Sequence, residues 1–305
     1  MRLILFISLL SLGSLLTGCF TGVESTPPIT DREVRKSTPP PSPDDNYLSA
    51  IRATRVKELR PGMKWIVNDS RISRVFGAEA YDKHFAPGDT LTLRVVRPAL
   101  TLDGRKVGEV VFSGRDVDSL VYRTSISYDT FLADSALSLP FAVEGALVDA
   151  VGQLMTGKEY YLITSSRFDM ADVAYTGRKF VPVTVEEVTY GNSYYPVSLI
   201  LRDDRDERFR LHMSVDGASV MPRKFSSLLS LTDPRLSYPD TTDDVWDQIV
   251  NGKVKIGMTT NECRLSLGRP ADVVRQAGYS SLVEIWTYAG GRYLVFTDGI
   301  LTSVR

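Results

Sequence analysis

Leu59-Arg60-Pro61-Gly62-Met63-Lys64-Trp65-Ile66-Val67 and Leu154-Met155-Thr156-Gly157-Lys158-Glu159-Tyr160-Tyr161-Leu162 are two copies of one pattern. Each sets a leucine three residues before a glycine, then a charged residue, then an aromatic side chain among aliphatic ones. With a one-residue gap the match continues to Ile72 and Phe168. Two further pairings follow in the same order. Gly88-Asp89-Thr90-Leu91-Thr92-Leu93-Arg94-Val95-Val96 lies against Gly177-Arg178-Lys179-Phe180-Val181-Pro182-Val183-Thr184-Val185, and Val107-Gly108-Glu109-Val110-Val111-Phe112 against Val197-Ser198-Leu199-Ile200-Leu201. The last pair is followed each time by a charged turn and a strand, Leu120-Val121-Tyr122-Arg123 and Arg208-Phe209-Arg210-Leu211. Self-similarity in fixed order means that one supersecondary unit is used twice.

The period inside the copies tells what that unit is. Leu91, Leu93 and Val95, and again Val181, Val183 and Val185, alternate with polar neighbours, which is the pattern of half-buried strands, and Gly, Asp and Asn punctuate them. The expected fold is therefore mainly β: two small antiparallel units over 46–140 and 141–239, with a strand number that suits SH3-like barrels. A helix is expected before each copy, over 46–59 and 143–155; in the second, Ala146, Leu147, Ala150, Val151 and Leu154 fall on one face.

Beyond the second copy the punctuation changes to that of helices. Asp240-Thr241-Thr242-Asp243-Asp244 offers an N-cap before Val245-Trp246-Asp247-Gln248-Ile249-Val250, and Thr259 or Thr260 opens a second helix that Gly268 and Pro270 close. Three strands are expected at 284–288, 293–297 and 300–304, joined by Ala289-Gly290-Gly291 and Asp298-Gly299. This makes 240–305 an α+β region.

Before the first copy, Ser25-Thr26-Pro27-Pro28 and Ser37-Thr38-Pro39-Pro40-Pro41-Ser42-Pro43-Asp44-Asp45 lack the apolar residues for a core, so 19–45 reads as a stiff, extended tether. Ahead of it, Arg2 and the apolar run from Leu3 to Leu16 have the layout of an export signal over 1–18, and the run is too short and too broken by Gly13, Thr17 and Gly18 for a spanning helix. Composition is that of a globular protein, with 43% hydrophobic and 24% charged residues and a net charge of -1, so no basic excess points to nucleic acid.

Catalytic and metal patterns are scarce. The chain has two histidines, His84 and His212, without HExxH spacing or paired cysteines, and each is expected at or near the surface; no metal, no cofactor and no enzymatic activity is expected. Cys263, within the second C-terminal helix, reads as a buried small hydrophobe. Asp203-Asp204-Arg205-Asp206-Glu207 lacks the spacing of a calcium loop and reads as a solvated hairpin tip. Tyr160-Tyr161 and Tyr194-Tyr195 are the candidate binding surface, since adjacent strand residues face opposite sides and one ring of each pair is left outward.

Two resemblances add to this. Leu16-Thr17-Gly18-Cys19 resembles the lipobox of bacterial lipoproteins, which implies diacylglycerol on the Cys19 sulfur, cleavage after Gly18 and a further acyl chain on the new amino terminus. Two or more chains anchor stably, and Phe20 in place of Asp after the cysteine favours the outer membrane, with the protein facing the periplasm. The run Ile256-Gly257-Met258-Thr259, Leu267-Gly268-Arg269-Pro270, Trp286-Thr287-Tyr288 and Leu294-Val295-Phe296-Thr297-Asp298-Gly299-Ile300-Leu301 resembles the SmpA/OmlA (BamE-like) domain of outer-membrane lipoproteins. That resemblance implies two helices on a three-stranded antiparallel sheet and an accessory, non-enzymatic role in outer-membrane protein assembly or envelope integrity, with other envelope proteins as partners. The alternatives are a peptidoglycan- or peptide-binding lipoprotein using SH3-like units, and an inhibitor of the β-lactamase-binding type, whose fold has the same helix and sheet elements.

Overall fold

Gly62 and Gly157, matched in the two sequence copies, do the same work in space. Both take positive φ, 92° and 78°, and their amides donate to Leu93 O and Val185 O at 2.8 Å each. The computed structural model in which this is seen describes residues 41–305 except 77–79, 81–82, 134–135, 193, 216–222 and 278–280. The export signal, Cys19 and the tether as far as Pro40 lie outside the described residues.

From these glycines the chain enters β1 (Lys64–Val67) and β6 (Glu159–Leu162), which bury Trp65 and Val67 in one copy and Tyr160 and Leu162 in the other. The first sheet adds β2 (Thr90–Leu100), β3 (Lys106–Gly114), β4 (Val117–Ser127) and β5 (Ala142–Glu144), in the order β4-β3-β2-β1-β5. The second contains β7 (Ser166–Phe168), β8 (Ala174–Thr176), β9 (Val181–Tyr190), β10 (Val197–Asp203), β11 (Arg208–Met213) and β12 (Leu229–Ser230), in the order β12-β6-β9-β10-β11-β7-β8. Five strands therefore correspond one to one, and the second sheet adds the β7–β8 hairpin beyond β11.

Register makes the correspondence residue by residue. Trp65 faces Leu91 as Tyr160 faces Val183, and Leu93 faces Phe112 as Val185 faces Leu201. Both sheets carry a bulge at the same place, skipping Arg94 and Glu186. This corrects the sequence pairing of Gly88 with Gly177 by three residues: Gly88 matches Phe180, both with positive φ and both donating to the last carbonyl of the strand that their own strand pairs with, Val67 O and Leu162 O. The alternating period that exposed the repeat is blind to such shifts when the residues between strands differ.

All sheet pairings are antiparallel, and no sheet among the described residues closes into a barrel. SH3-like closure is overturned for a topological reason. The short returning strand, three residues in β5 and two in β12, pairs with β1 or β6 and never reaches the other edge. β5 also carries the first sheet to Glu144, beyond the expected limit at residue 140. The helix that follows, α1 (Gly145–Met155), packs on β9, with Leu147, Val151 and Met155 in the second core. Ala146 is exposed, so the buried face is rotated from the expected one towards Leu147, Val148 and Val151.

The expected helix over 46–59 is absent. A capping box between Ser42 and Asp45 starts one short helical turn at Pro43–Asn46, which ends the tether earlier than expected, and a 3-10 turn forms at Val56–Glu58. Between them the chain stays irregular because it serves two cores: Leu48 lies in the second, Val56 and Leu59 in the first. A rigid helix rises only about 1.5 Å per residue and would shorten that reach.

In the C-terminal region α2 (Asp243–Val250) is capped by Thr242 and α3 (Thr260–Leu267) by a Thr259/Glu262 capping box, with Gly268 at φ 83° ending it. The sheet has four strands where three were expected: β13 (Asp272–Ala277), β14 (Leu282–Thr287), β15 (Tyr293–Thr297) and β16 (Ile300–Val304), paired in that order. Trp286, Leu294, Phe296 and Leu301 pack beneath the helices with Ile249, Met258 and Cys263. Trp246 of α2 stacks on Phe180 at 5.5 Å and Val250 enters the second core, so α2 is shared between the two cores.

Candidate functional site

The four tyrosines do not form one surface. Tyr160 is 2% exposed; its hydroxyl lies 2.6 Å from that of Tyr47 and its ring packs edge-on against Phe225. Burial, helped by that hydrogen bond, raises its pKa above the usual phenol range. Tyr160 is thus a core residue. Tyr161, half-buried, faces the other side of β6. Tyr194 is exposed at the β9–β10 turn, where its amide and that of Tyr195 both donate to Asn192 Oδ1, and Tyr195 lies half-buried with the Arg223 guanidinium 5.5 Å from its ring centre.

The acidic run is not a solvated tip throughout. Asp203 is buried, its Oδ1 accepting from the amides of Arg205 and Glu207. Arg167, with no exposed side-chain surface, lies 3.2 Å from Glu207, donates to Arg178 O and stacks 4.1 Å over the Phe209 ring. Asp204 pairs with Arg178 at 2.6 Å. The run is a hairpin braced by two arginines, Arg167 of β7, 40 residues before Glu207, and Arg178 beyond β8, 26 residues before Asp204, a relation no local spacing reveals.

His84 is exposed, as expected, but His212 is only 3% exposed. The alternation along β10 and β11 explains it. Val197, Leu199 and Leu201 with Phe209, Leu211 and Met213 fill the second core, so Ser198, Arg210, His212 and Ser214 point to the opposite face. Ser198 and His212 are direct cross-strand partners. That face is not left to water. β7 pairs with β11 through Phe168 and Arg210, and the turn after it brings Phe168 to 4.7 Å from the His212 ring and Asp172 Oδ1 to 2.7 Å from His212 Nε2. Asp172 sits at φ 67°, a conformation Asp tolerates, held by its amide to Asp169 O while Asp169 Oδ1 takes the amides of Ala171 and Val173.

The cluster is incompletely paired. His212 Nδ1, Ser198 Oγ, Ser214 Oγ and Arg210 Nε are buried with no hydrogen-bond partner among the described residues. Arg223, whose carbonyl accepts from the Ser214 amide, sets its guanidinium 5.8 Å from the Phe168 ring centre, and no ion pair involves it among the described residues. Desolvation pushes the pKa of His212 below the ordinary imidazole value despite Asp172, and that of Arg223 below the ordinary guanidinium value. His212 is therefore neutral at pH 7, and with Nε2 donating to Asp172 its Nδ1 is an acceptor. The sequence signal for this site was Ser198, His212 and Ser214 alternating with core aliphatics; its covering hairpin was not legible.

A second feature is the outer face of the C-terminal sheet. Three cross-strand rows cross it: Asp272, Thr287 and Tyr293; Val274, Ile285, Val295 and Ser303; Gln276, Val283, Thr297 and Ile300. Val274, Val283, Ile285 and Val295 join no core cluster, and Val274, Tyr293 and Ile300 are exposed. Among the described residues no helix is long and apolar enough to cross a membrane, and no three His, Cys, Asp or Glu side chains converge as a metal site would require.

No family model, no curated protein and no solved structure matches this chain.

Proposed function

We propose that this chain is a lipid-anchored, periplasm-facing, non-enzymatic interaction protein of the outer membrane, held through Cys19 and binding other envelope proteins. The observation that carries the binding half is the apolar outer face of the C-terminal sheet. Val274, Ile285 and Val295, in register across three strands with Val283 beside them, form an apolar row bordered by polar residues, of the kind that marks an interaction site. The anchor half rests on Leu16-Thr17-Gly18-Cys19. Two helices on an antiparallel sheet support the BamE-like reading and its accessory role in outer-membrane protein assembly, with β13 as an extra edge strand. The peptidoglycan-binding alternative loses the closed barrels on which it relied.

The test is affinity capture from detergent-solubilised envelopes with the intact lipidated protein and with Ile285→Glu and Val274→Glu variants. Each aliphatic side chain buried at an interface is worth about 1.5–3 kcal/mol, so one charge there weakens capture by at least tenfold. Equal recovery of every envelope protein by wild type and both variants, with unchanged folding, refutes the reading.

A further inference from the structure

The two repeats carry an internal comparison at the His212 cluster. The cross-strand pair that corresponds to Ser198 and His212 in the first sheet is Glu109 and Arg123, also direct partners on the outer face. There the polar groups satisfy one another: Glu109 Oε2 accepts from Arg123 Nε at 2.8 Å and Oε1 from Arg97 Nε at 2.7 Å. In the second repeat the same three positions hold Ser198, His212 and Thr189. The carboxylate is gone, and the hydroxyl and imidazole that replace the pair leave Ser198 Oγ and His212 Nδ1 buried and unpaired. Buried polar atoms without partners cost free energy and are rare in native proteins. Four on one face, unpaired among the described residues, on a scaffold whose sister copy has none at the matching pair, single this face out as a place for a ligand.

The chemistry of these groups indicates what that is. Ser198 Oγ and Ser214 Oγ each have a hydrogen to donate, Arg210 Nε and the Arg223 guanidinium donate with positive charge, and His212 Nδ1 accepts. Of the charges on the described residues here, Asp172 offsets one of the two arginines, with Arg210 Nη1 at 4.0 Å, and no described carboxylate pairs with Arg223. The site is thus cationic, rich in donors and furnished with one acceptor. We propose that the outer face of the β10–β11 hairpin binds a small oxyanion that retains one acidic hydrogen, a phosphate group in preference to a carboxylate. Its oxygens take the hydrogens of Ser198, Ser214, Arg210 and Arg223, and its remaining O–H is donated to His212 Nδ1. A carboxylate ionised at neutral pH has no hydrogen for that nitrogen and leaves it unpaired. This site is independent of the apolar face of the C-terminal sheet, and either stands without the other.

The full-length protein in detergent micelles, labelled at its histidine rings, tests this by nuclear magnetic resonance, because two histidines give two assignable signals and His84 serves as the internal control. Titration with inorganic phosphate at pH 7.5 and constant ionic strength is expected to move the His212 signals saturably at millimolar concentration and leave His84 in place. Sodium acetate is expected to bind at least about ten times more weakly, and Ser198→Ala and Arg223→Met to weaken phosphate by about tenfold or more each. Arg223→Lys keeps the charge and guards against misfolding; it retains part of the response. No saturable His212 shift with phosphate, or one unchanged in both Ser198→Ala and Arg223→Met, overturns the site. Acetate binding as tightly as phosphate overturns the role given to His212 Nδ1.

Discussion

Ser198→Ala is expected to stabilise the ligand-free protein, against the usual direction for a core substitution. Ser198 is 1% exposed and its hydroxyl meets no partner among the described residues, so in the folded state it forfeits the hydrogen bonds it makes to water when unfolded. An unpaired buried hydroxyl costs about 1–3 kcal/mol, and removing it returns most of that. The void left by one oxygen is smaller than a methyl group and costs less than about 1 kcal/mol. The net expectation is about 1 kcal/mol of added stability. Ser113, on the outer face of β3, is the control: it too is buried, but its Oγ accepts from Arg94 Nε at 2.9 Å. Ser113→Ala removes a paired hydroxyl and leaves the exposed Arg94 to water, for a loss of up to about 1 kcal/mol, the net worth of one hydrogen bond. The two variants differ by one atom from the same parent and should move in opposite directions. Three cores make a single global melting temperature a poor measure here, so the assay is native-state hydrogen exchange in phosphate-free buffer, read at amides of β10 for Ser198→Ala and of β3 for Ser113→Ala. Protection should rise severalfold in the first and fall severalfold in the second. Loss of protection in both would falsify the claim that Ser198 is unpaired. Stability regained by deleting a polar group is also what a binding site predicts, since its atoms are kept for the ligand and not for the fold.

The remaining expectations follow from the same contacts. His212 has its folded-state pKa lowered, mainly by desolvation, so its contribution is present above the unfolded value near 6.5 and is lost as pH falls through the lower folded value; urea midpoints should drop between pH 7.5 and 5.5, and less steeply in His212→Gln. Burial pushes the Cys263 thiol up to about 12, so thiol reagents at pH 8 should leave it unmodified in the native protein and label it in urea; a second reactive thiol in the mature chain would show Cys19 free of lipid. At Gly177 an added Cβ would overlap the Arg167 side chain, which cannot withdraw because Phe209, Glu207 and Arg178 O hold it. Gly177→Ala should therefore cost about 1–3 kcal/mol by denaturant titration, whereas Gly152→Ala, with its nearest neighbour atom at 3.7 Å within α1, should be neutral or stabilising.

Individual residues show where local reading sufficed. Thr242 and Thr259 cap their helices as expected, because a cap depends on residues within one turn of the chain. Asp298 and Gly299 both adopt positive φ in the turn expected of an Asp-Gly pair. The tyrosine pairs mark the limit. Alternation says that Tyr160 and Tyr161 face opposite sides, but the docking of Tyr47 and Phe225, respectively 113 residues before and 65 after Tyr160 in the chain, decides that Tyr160 is the buried one. β13 was missed for a similar reason: Asp272-Val273-Val274-Arg275-Gln276-Ala277 has only Val273 and Val274 as β-branched residues and becomes a strand by pairing with β14.

By itself the sequence determined the repetition of a mainly β unit and the helix caps and turns of the C-terminal region, and its lipobox-like run at Cys19 is what the proposed anchor rests on. These are properties of neighbouring residues, set by backbone preferences and by the two-residue period of a strand. Tertiary structure alone decided that the sheets stay open, that Arg167 and Asp203 are buried together, and that the outer face around Ser198 and His212 is covered by the β7–β8 hairpin. Each of these depends on which strand edge a short segment joins and on what then covers a face, and such choices are settled by contacts between residues far apart in the chain.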